Sequence, residues 1–153
     1  MIPSPAAPPQ QPAVLPFTAT VGEGIPFVAL LADCAHCPNA TDGRPTTPVP
    51  SSPPTRIGQR LRVIVGEGPG AEEVRQHVSF VGPTGEVLNR LLDHVGVPRA
   101  ECYIANATLC PSKDKAKMGA AVKACRPRLL AELDLFVGKL QRADLLLLGR
   151  WAA

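Results

Sequence analysis

Apolar residues in this chain fall into short continuous runs separated by longer stripes of helical period. Leu61–Val65 is a β-branched run closed by Gly66, which predicts a buried strand. Cys102–Ala105 and Leu145–Leu148 predict two more, the last closed by Gly149. Between the first two, Val87, Leu88, Leu91, Leu92 and Val95 recur at helical spacing. Thr84 can cap that helix, and Gly96 with Pro98 ends it. Between the second and third, Val122, Cys125, Leu129, Leu133 and Phe136 give the same period over Ala116–Leu140. Pro127 should kink or divide this second helix. The alternation predicts the α/β class: a three-layer α/β/α arrangement on a parallel sheet with right-handed crossovers.

What remains is punctuation. Proline density predicts a disordered tail over 1–24, and a Pro-rich loop over 44–55 interrupts the domain expected at 25–153. A short apolar segment, Phe27–Ala32, leads into Cys34-Ala-His-Cys37. Gly66–Gly82 reads as a long functional loop. The 153 residues suit one domain, and the formal charge of +3 suits a polyanion partner as well as many other roles. No run of apolar residues reaches membrane-spanning length and no secretory leader is evident, so the expectation is a cytoplasmic monomer with no membrane partner. The cysteines, five in number, are then expected to bind metal or stay as thiols rather than form disulfides.

In sheets of this kind ligands sit at the carboxyl ends of the strands. That places Glu67, Phe80 and Asn106 near one crevice. The residue types leave plain alternatives: Phe80 as core, Asn106 as a strand-ending turn residue, Glu67 as a solvated carboxylate. Gly66-Glu-Gly-Pro-Gly70 is equally open. Gly66, Gly68 and Ala71 fit a dinucleotide-binding pattern with Glu86 as the ribose acid, but such a motif should run straight into a helix. Glu72–Val81 has no clean period, and Glu86 falls inside the first helix. Cys34 and Cys37 form a compact metal-binding pair, and Cys110 and Cys125 could complete a set of four for zinc or iron–sulfur. Cys102 is left as an ordinary buried thiol. Lys113, Lys115, Lys117, Lys123, Arg126 and Arg128 could meet phosphates or form a solvated face.

Taken together, VIVGEGPGAEE, FVGPTGEVLNRLL, YIANATLC and the later Cys125-Arg-Pro resemble the family-4, iron–sulfur uracil-DNA glycosylases over roughly residues 27–151. The resemblance implies the α/β/α fold of that superfamily and a [4Fe–4S] cluster on Cys34, Cys37, Cys110 and Cys125, with zinc as the alternative. It implies an enzyme of base excision repair that hydrolyses the N-glycosidic bond of deoxyuridine in single- or double-stranded DNA. Phe80 would stack on the extruded base, Asn106 would read it, Glu67 would handle water, and Glu73 would lie near the base with Gly66 and Gly68. Three departures stand out. The family adds a further strand and a His-Pro motif whose histidine stabilises the uracil anion, whereas this sequence stops at Trp151-Ala-Ala153, and His36, His77 and His94 match no such motif. The fold is therefore expected to be C-terminally incomplete, with an apolar edge left open and a rate penalty on the order of 10²–10³. The stretch after Cys110 is shorter and more basic than usual, and Ser79 stands where proline is usual. Two rivals follow: a non-catalytic nucleic-acid-binding module or N-terminal domain of a larger repair polypeptide, and a zinc-stapled α/β protein with a nucleotide at Gly66–Gly70.

Overall fold

The structure is a computed structural model that describes residues 34–41, 47–56, 60–112, 114–137 and 143–153. The expected tail, the apolar run at 27–32, Lys113 and the end of the second helix at 138–140 lie outside the described residues. Strand β1 (Leu61–Gly66) is central, flanked by β2 (Cys102–Asn106) and β3 (Ala143–Leu147) in the order β2-β1-β3. Both pairings are parallel, with Gly66 opposite Asn106 at the carboxyl end. This is the expected sheet.

Each face of the sheet is covered by a helix. Ile64, Cys102 and Ile104 pack with Leu88 and Leu92 of helix α3 (Pro83–His94) and with Phe80. Leu61, Val63, Val65, Tyr103 and Ala105 pack on the other face against Leu129 and Leu133 of helix α4 (Met118–Val137). Residues of both parities on β1 are thus buried, which is why Val63, Ile64 and Val65 follow one another without polar alternation. Cys102 is a buried thiol whose Sγ donates to the Pro98 carbonyl at 3.6 Å, and burial pushes its pKa up.

Four expectations need correction. The Gly66–Gly82 stretch is not all loop: it holds α2 (Ala71–Gln76), which opens at Gly70 and stops at His77 in the left-handed region. Thr84 does not cap α3, because Gly82 is the cap and Pro83 takes the first helical position, where its missing N–H costs nothing. Pro127 lies inside α4 without dividing it. Both Pro127 and Lys123, whose carbonyl loses its donor, are exposed, so water can satisfy that group. Of the α3 stripe only Leu88 and Leu92 are buried, while Val87, Leu91 and Val95 are 46%, 56% and 64% exposed.

The described part of the Pro-rich loop, 47–55, does structural duty. Ser52 and Ile104 exchange backbone hydrogen bonds of 2.7 and 2.9 Å in an antiparallel bridge, and Val49 N–H donates to Leu109 at 2.8 Å. The segment covers the outer edge of β2, which would otherwise expose unpaired donors and acceptors. On the opposite flank, Leu145, Leu146 and Leu147 of β3 are 57%, 47% and 39% exposed.

Candidate active site

The carboxyl ends of β1 and β2 open into a cleft of about 850 Å³ lined by Glu67, Phe80, Asn106 and the glycines of the first turn. Asn106 is the last residue of β2 and Gly66 the last of β1, so pairing sets them side by side. A Cβ on Gly66 would lie 2.4 Å from Phe80 Cζ and 2.6 Å from Asn106 Oδ1. Glycine here is what lets an aromatic ring and a carboxamide meet over the strand end.

Phe80 is buried and has φ of +55°, a left-handed conformation uncommon for a bulky residue. Two groups hold it there. Gly85 accepts the close approach of the Phe80 carbonyl, which would lie 2.0 Å from a Cβ. Ser79 is fully buried; its Oγ donates to the Pro50 carbonyl and its own carbonyl accepts from Arg99, both at 2.8 Å. A hydroxyl thus ties down the position where the resembling family has a rigid ring.

Glu67 reaches into the cleft from the first residue after β1. Its Oε1 accepts from the Trp151 backbone N–H at 3.3 Å, and Lys115 Nζ lies 3.5 Å from its Oε2. Gly149 leaves room for this carboxylate: a Cβ there would sit 2.7 Å from Glu67 Oε1. Lys115 also lines the cleft. The other described members of the basic cluster divide. Lys117, Lys123 and Arg126 are exposed, whereas Arg128 is fully buried and cannot touch a phosphate.

Glu73 borders the same cleft, but its carboxylate is committed. Oε1 accepts from the N–H groups of Val81 (3.0 Å) and Gly82 (2.8 Å), and Oε2 accepts from Gly70 (3.0 Å). Burial opposes the charge, yet these backbone donors outweigh it and hold the pKa below the usual glutamate value. The same contacts bear on the dinucleotide alternative. A helix does open at Ala71, but the Gly70 amide at its start is already taken by Glu73, and Glu86 sits on the exposed first turn of α3. The sign of the linkage is definite: a lowered folded-state pKa stabilises the fold above the unfolded value, near 4.3, and that contribution is lost as pH falls through the folded value. Acid unfolding of Glu73→Gln should therefore show a shallower loss of stability below about pH 4.3 than the parent chain. Parallel acid titrations followed by circular dichroism check this, and equal slopes would remove Glu73 as a brace.

The four cysteines of the expected ligand set come from three chain segments brought to one place. Cys34 and Cys37 flank a turn that enters helix α1 (Pro38–Thr41), and Cys37 packs on Ala121 and Ala124 of α4. Cys125 is buried one turn after Ala121, and Asn39 Nδ2 donates to the Cys110 carbonyl at 3.4 Å. Among the described residues no disulfide forms, and no three side chains converge tightly enough for a single ion. Four thiols are a donor set that would suit either an iron–sulfur cluster or zinc.

The comparison with protein families decides the affiliation. The model of the uracil DNA glycosylase superfamily matches residues 57–153, from before β1 to the last residue. The chain belongs to the uracil DNA glycosylase superfamily. Type-4 uracil-DNA glycosylases are among its relatives: that of Pyrobaculum aerophilum is 31% identical over 107 residues, covering 69% of this chain and 52% of the relative. That of Thermotoga maritima is 38% identical over 74 residues, covering 48% and 38%. That of Archaeoglobus fulgidus is 32% identical over 92 residues, covering 60% and 44%. The chain thus spans about half the length, or less, of these relatives. Within this uracil DNA glycosylase superfamily member, Arg128, Ser79, Arg99 and Gly85 are residues that sequence reasoning did not assign to the site. Only the Arg128/Glu132 spacing of four offered a signal.

Proposed function

We propose that this chain binds an extruded uracil in the β1/β2 cleft of uracil-containing DNA and hydrolyses its N-glycosidic bond, acting as a monomer inside the cell. The observation that carries the reading is the meeting of Phe80, Asn106 and Glu67 around Gly66 at the strand ends. An extruded base needs an aromatic face and a group that donates to O4 while accepting from N3–H. A carboxamide does both, whereas cytosine offers the opposite pattern at those two atoms. Glu67, held by Lys115 and the Trp151 amide, would orient water and stabilise positive charge at the anomeric carbon. Exposed Lys117, Lys123 and Arg126 supply phosphate contacts for either strand form.

Cys34, Cys37, Cys110 and Cys125 would hold a [4Fe–4S] cluster, which supplies a crosslink between the α1 turn, the loop after β2 and α4 rather than chemistry at the base. Anaerobically reconstituted protein should be brown, and Cys125→Ser should bind little iron by absorbance and iron assay. A colourless parent chain with one bound zinc would refute the cluster.

The deciding experiment is uracil release from a single-stranded deoxyuridine oligonucleotide by cluster-loaded protein. Release is expected, and Asn106→Ala should lower it by on the order of a hundredfold or more. A second reading is a module that binds nucleic acid without cleaving. It would use the same cleft and the exposed Lys117, Lys123 and Arg126, without bond cleavage. Selective deoxyuridine binding with no release from loaded protein would choose it.

A further inference from the structure

We infer that Arg128 is a positioning residue for Asn106, fixing the main chain from which the base-reading carboxamide projects. The inference rests on the reading of Asn106 given above and adds the group that holds it.

Start with the strand edge. Ser52 pairs with Ile104 in an antiparallel bridge on the outer side of β2. Continuing that register by two residues brings Pro50 opposite Asn106. Proline has no N–H, so the covering segment cannot donate to the Asn106 carbonyl. A buried carbonyl without a donor is costly. Arg128 supplies the donor: its Nη2 lies 2.8 Å from the Asn106 carbonyl and 3.4 Å from that of Ala107. On the inner side, Ala107 N–H donates to Gly66 at 2.8 Å and Thr108 N–H to Glu67 at 3.1 Å. The residues that carry and follow the carboxamide are thus clamped from both sides, by the Gly66 and Glu67 carbonyls and by one guanidinium.

The guanidinium is itself held in place. Nη1 donates to Glu132 Oε2 at 2.9 Å and to Ser51 Oγ at 3.4 Å. Tyr103 donates its hydroxyl to the same carboxylate oxygen, and burial with that charge beside it pushes its pKa up, so it stays a donor. Stability alone is a poor account of the arrangement. A buried ion pair is often no better than an apolar replacement, and here Nε of Arg128 has no hydrogen-bond partner among the described residues. The fork is turned toward the end of β2 even though that leaves a donor unsatisfied. Lysine could keep Glu132 but not span the two carbonyls as well, because it presents a point charge instead of a planar fork.

The test uses the full cluster-loaded chain as wild type, Arg128→Lys and Glu132→Gln. Three quantities are read: the thermal midpoint, the ratio of affinities for deoxyuridine and deoxycytidine oligonucleotides, and the Asn106 side-chain amide signals in a ¹⁵N spectrum. Both variants should lose thermal stability. Arg128→Lys alone should lower the ratio by on the order of tenfold to a hundredfold and move the Asn106 signals. Glu132→Gln should leave the ratio within about twofold, since the Arg128 bonds to the main chain remain. A folded Arg128→Lys with the parental ratio and unmoved Asn106 signals would overturn the inference. If the parent chain itself shows no preference for deoxyuridine, the reading of Asn106 fails, and the Asn106 signals alone decide the positioning role. If Arg128→Lys does not fold, the parent chain decides: slowly exchanging Nη protons near Asn106 support the clamp, and freely exchanging ones overturn it.

Discussion

On the proposed reading, replacing Gly66 by alanine should abolish most of the preference for deoxyuridine while leaving the sheet assembled. The added methyl would lie 2.4 Å from Phe80 Cζ and 2.6 Å from Asn106 Oδ1, inside any real carbon contact. The Phe80 ring cannot retreat, because Ile64, Leu88 and Leu92 lie behind it. The Asn106 carboxamide, on a backbone paired with Gly66, can yield only by rotating about its side-chain bonds. The ring must therefore swing toward the cleft, into the space a base would fill. A displacement of about 1 Å at a site of this kind costs on the order of a hundredfold. Oligonucleotide titration beside a far-UV spectrum and a melting curve checks both halves. Unaltered preference in a folded Gly66→Ala protein would mean that the base does not bind at this strand end.

Glu132→Ala should be the most damaging single change to the fold. Arg128 is fully buried and pairs with Glu132 at 2.9 Å, and Tyr103 donates to the same carboxylate. Removing the acceptor strands a cation and a hydroxyl in the core. Breaking one side of a buried pair costs about 3–5 kcal/mol, against a total of roughly 5–15 kcal/mol for a domain. Urea unfolding should show the midpoint falling accordingly. Pairing Glu132→Leu with Arg128→Met should recover part of the loss, because no uncompensated charge then remains. A loss below about 1 kcal/mol in Glu132→Ala would place the pair in contact with water.

Strands β1 and β2 were legible because both of their faces are buried and their apolar residues therefore cluster without alternation. Strand β3 was legible because it keeps an apolar run although Leu145, Leu146 and Leu147 are exposed. The crevice followed from them, since topology alone puts Glu67, Phe80 and Asn106 at the same sheet end. Features set by polar contacts were hidden. Helix α2 has six residues, too few for a period, and exists because Gly70 and Glu73 satisfy its first turn. The prolines of 47–55 suggested a loop, yet the two backbone groups of Ser52 suffice to close a sheet edge. Arg128 looked like its exposed neighbours, because burial of a cation depends on partners 22 residues earlier and four later. Val87, Leu91 and Val95 misled in the opposite sense: their spacing is that of a core face, but the structure leaves them outside.

The left-handed backbone of Phe80 has a kinetic consequence. Such a conformation in a bulky residue costs about 1–3 kcal/mol, which the surrounding contacts have already met before any ligand arrives. If Phe80 stacks on a base as proposed, that plane is in place in advance, and an entering base need not wait for the protein to close. On the proposed reading the slow partner is the nucleic acid: the encounter rate should follow how often a nucleotide leaves the helical stack. Mispaired or single-stranded deoxyuridine should be engaged faster than paired deoxyuridine, with little change in how long each remains bound.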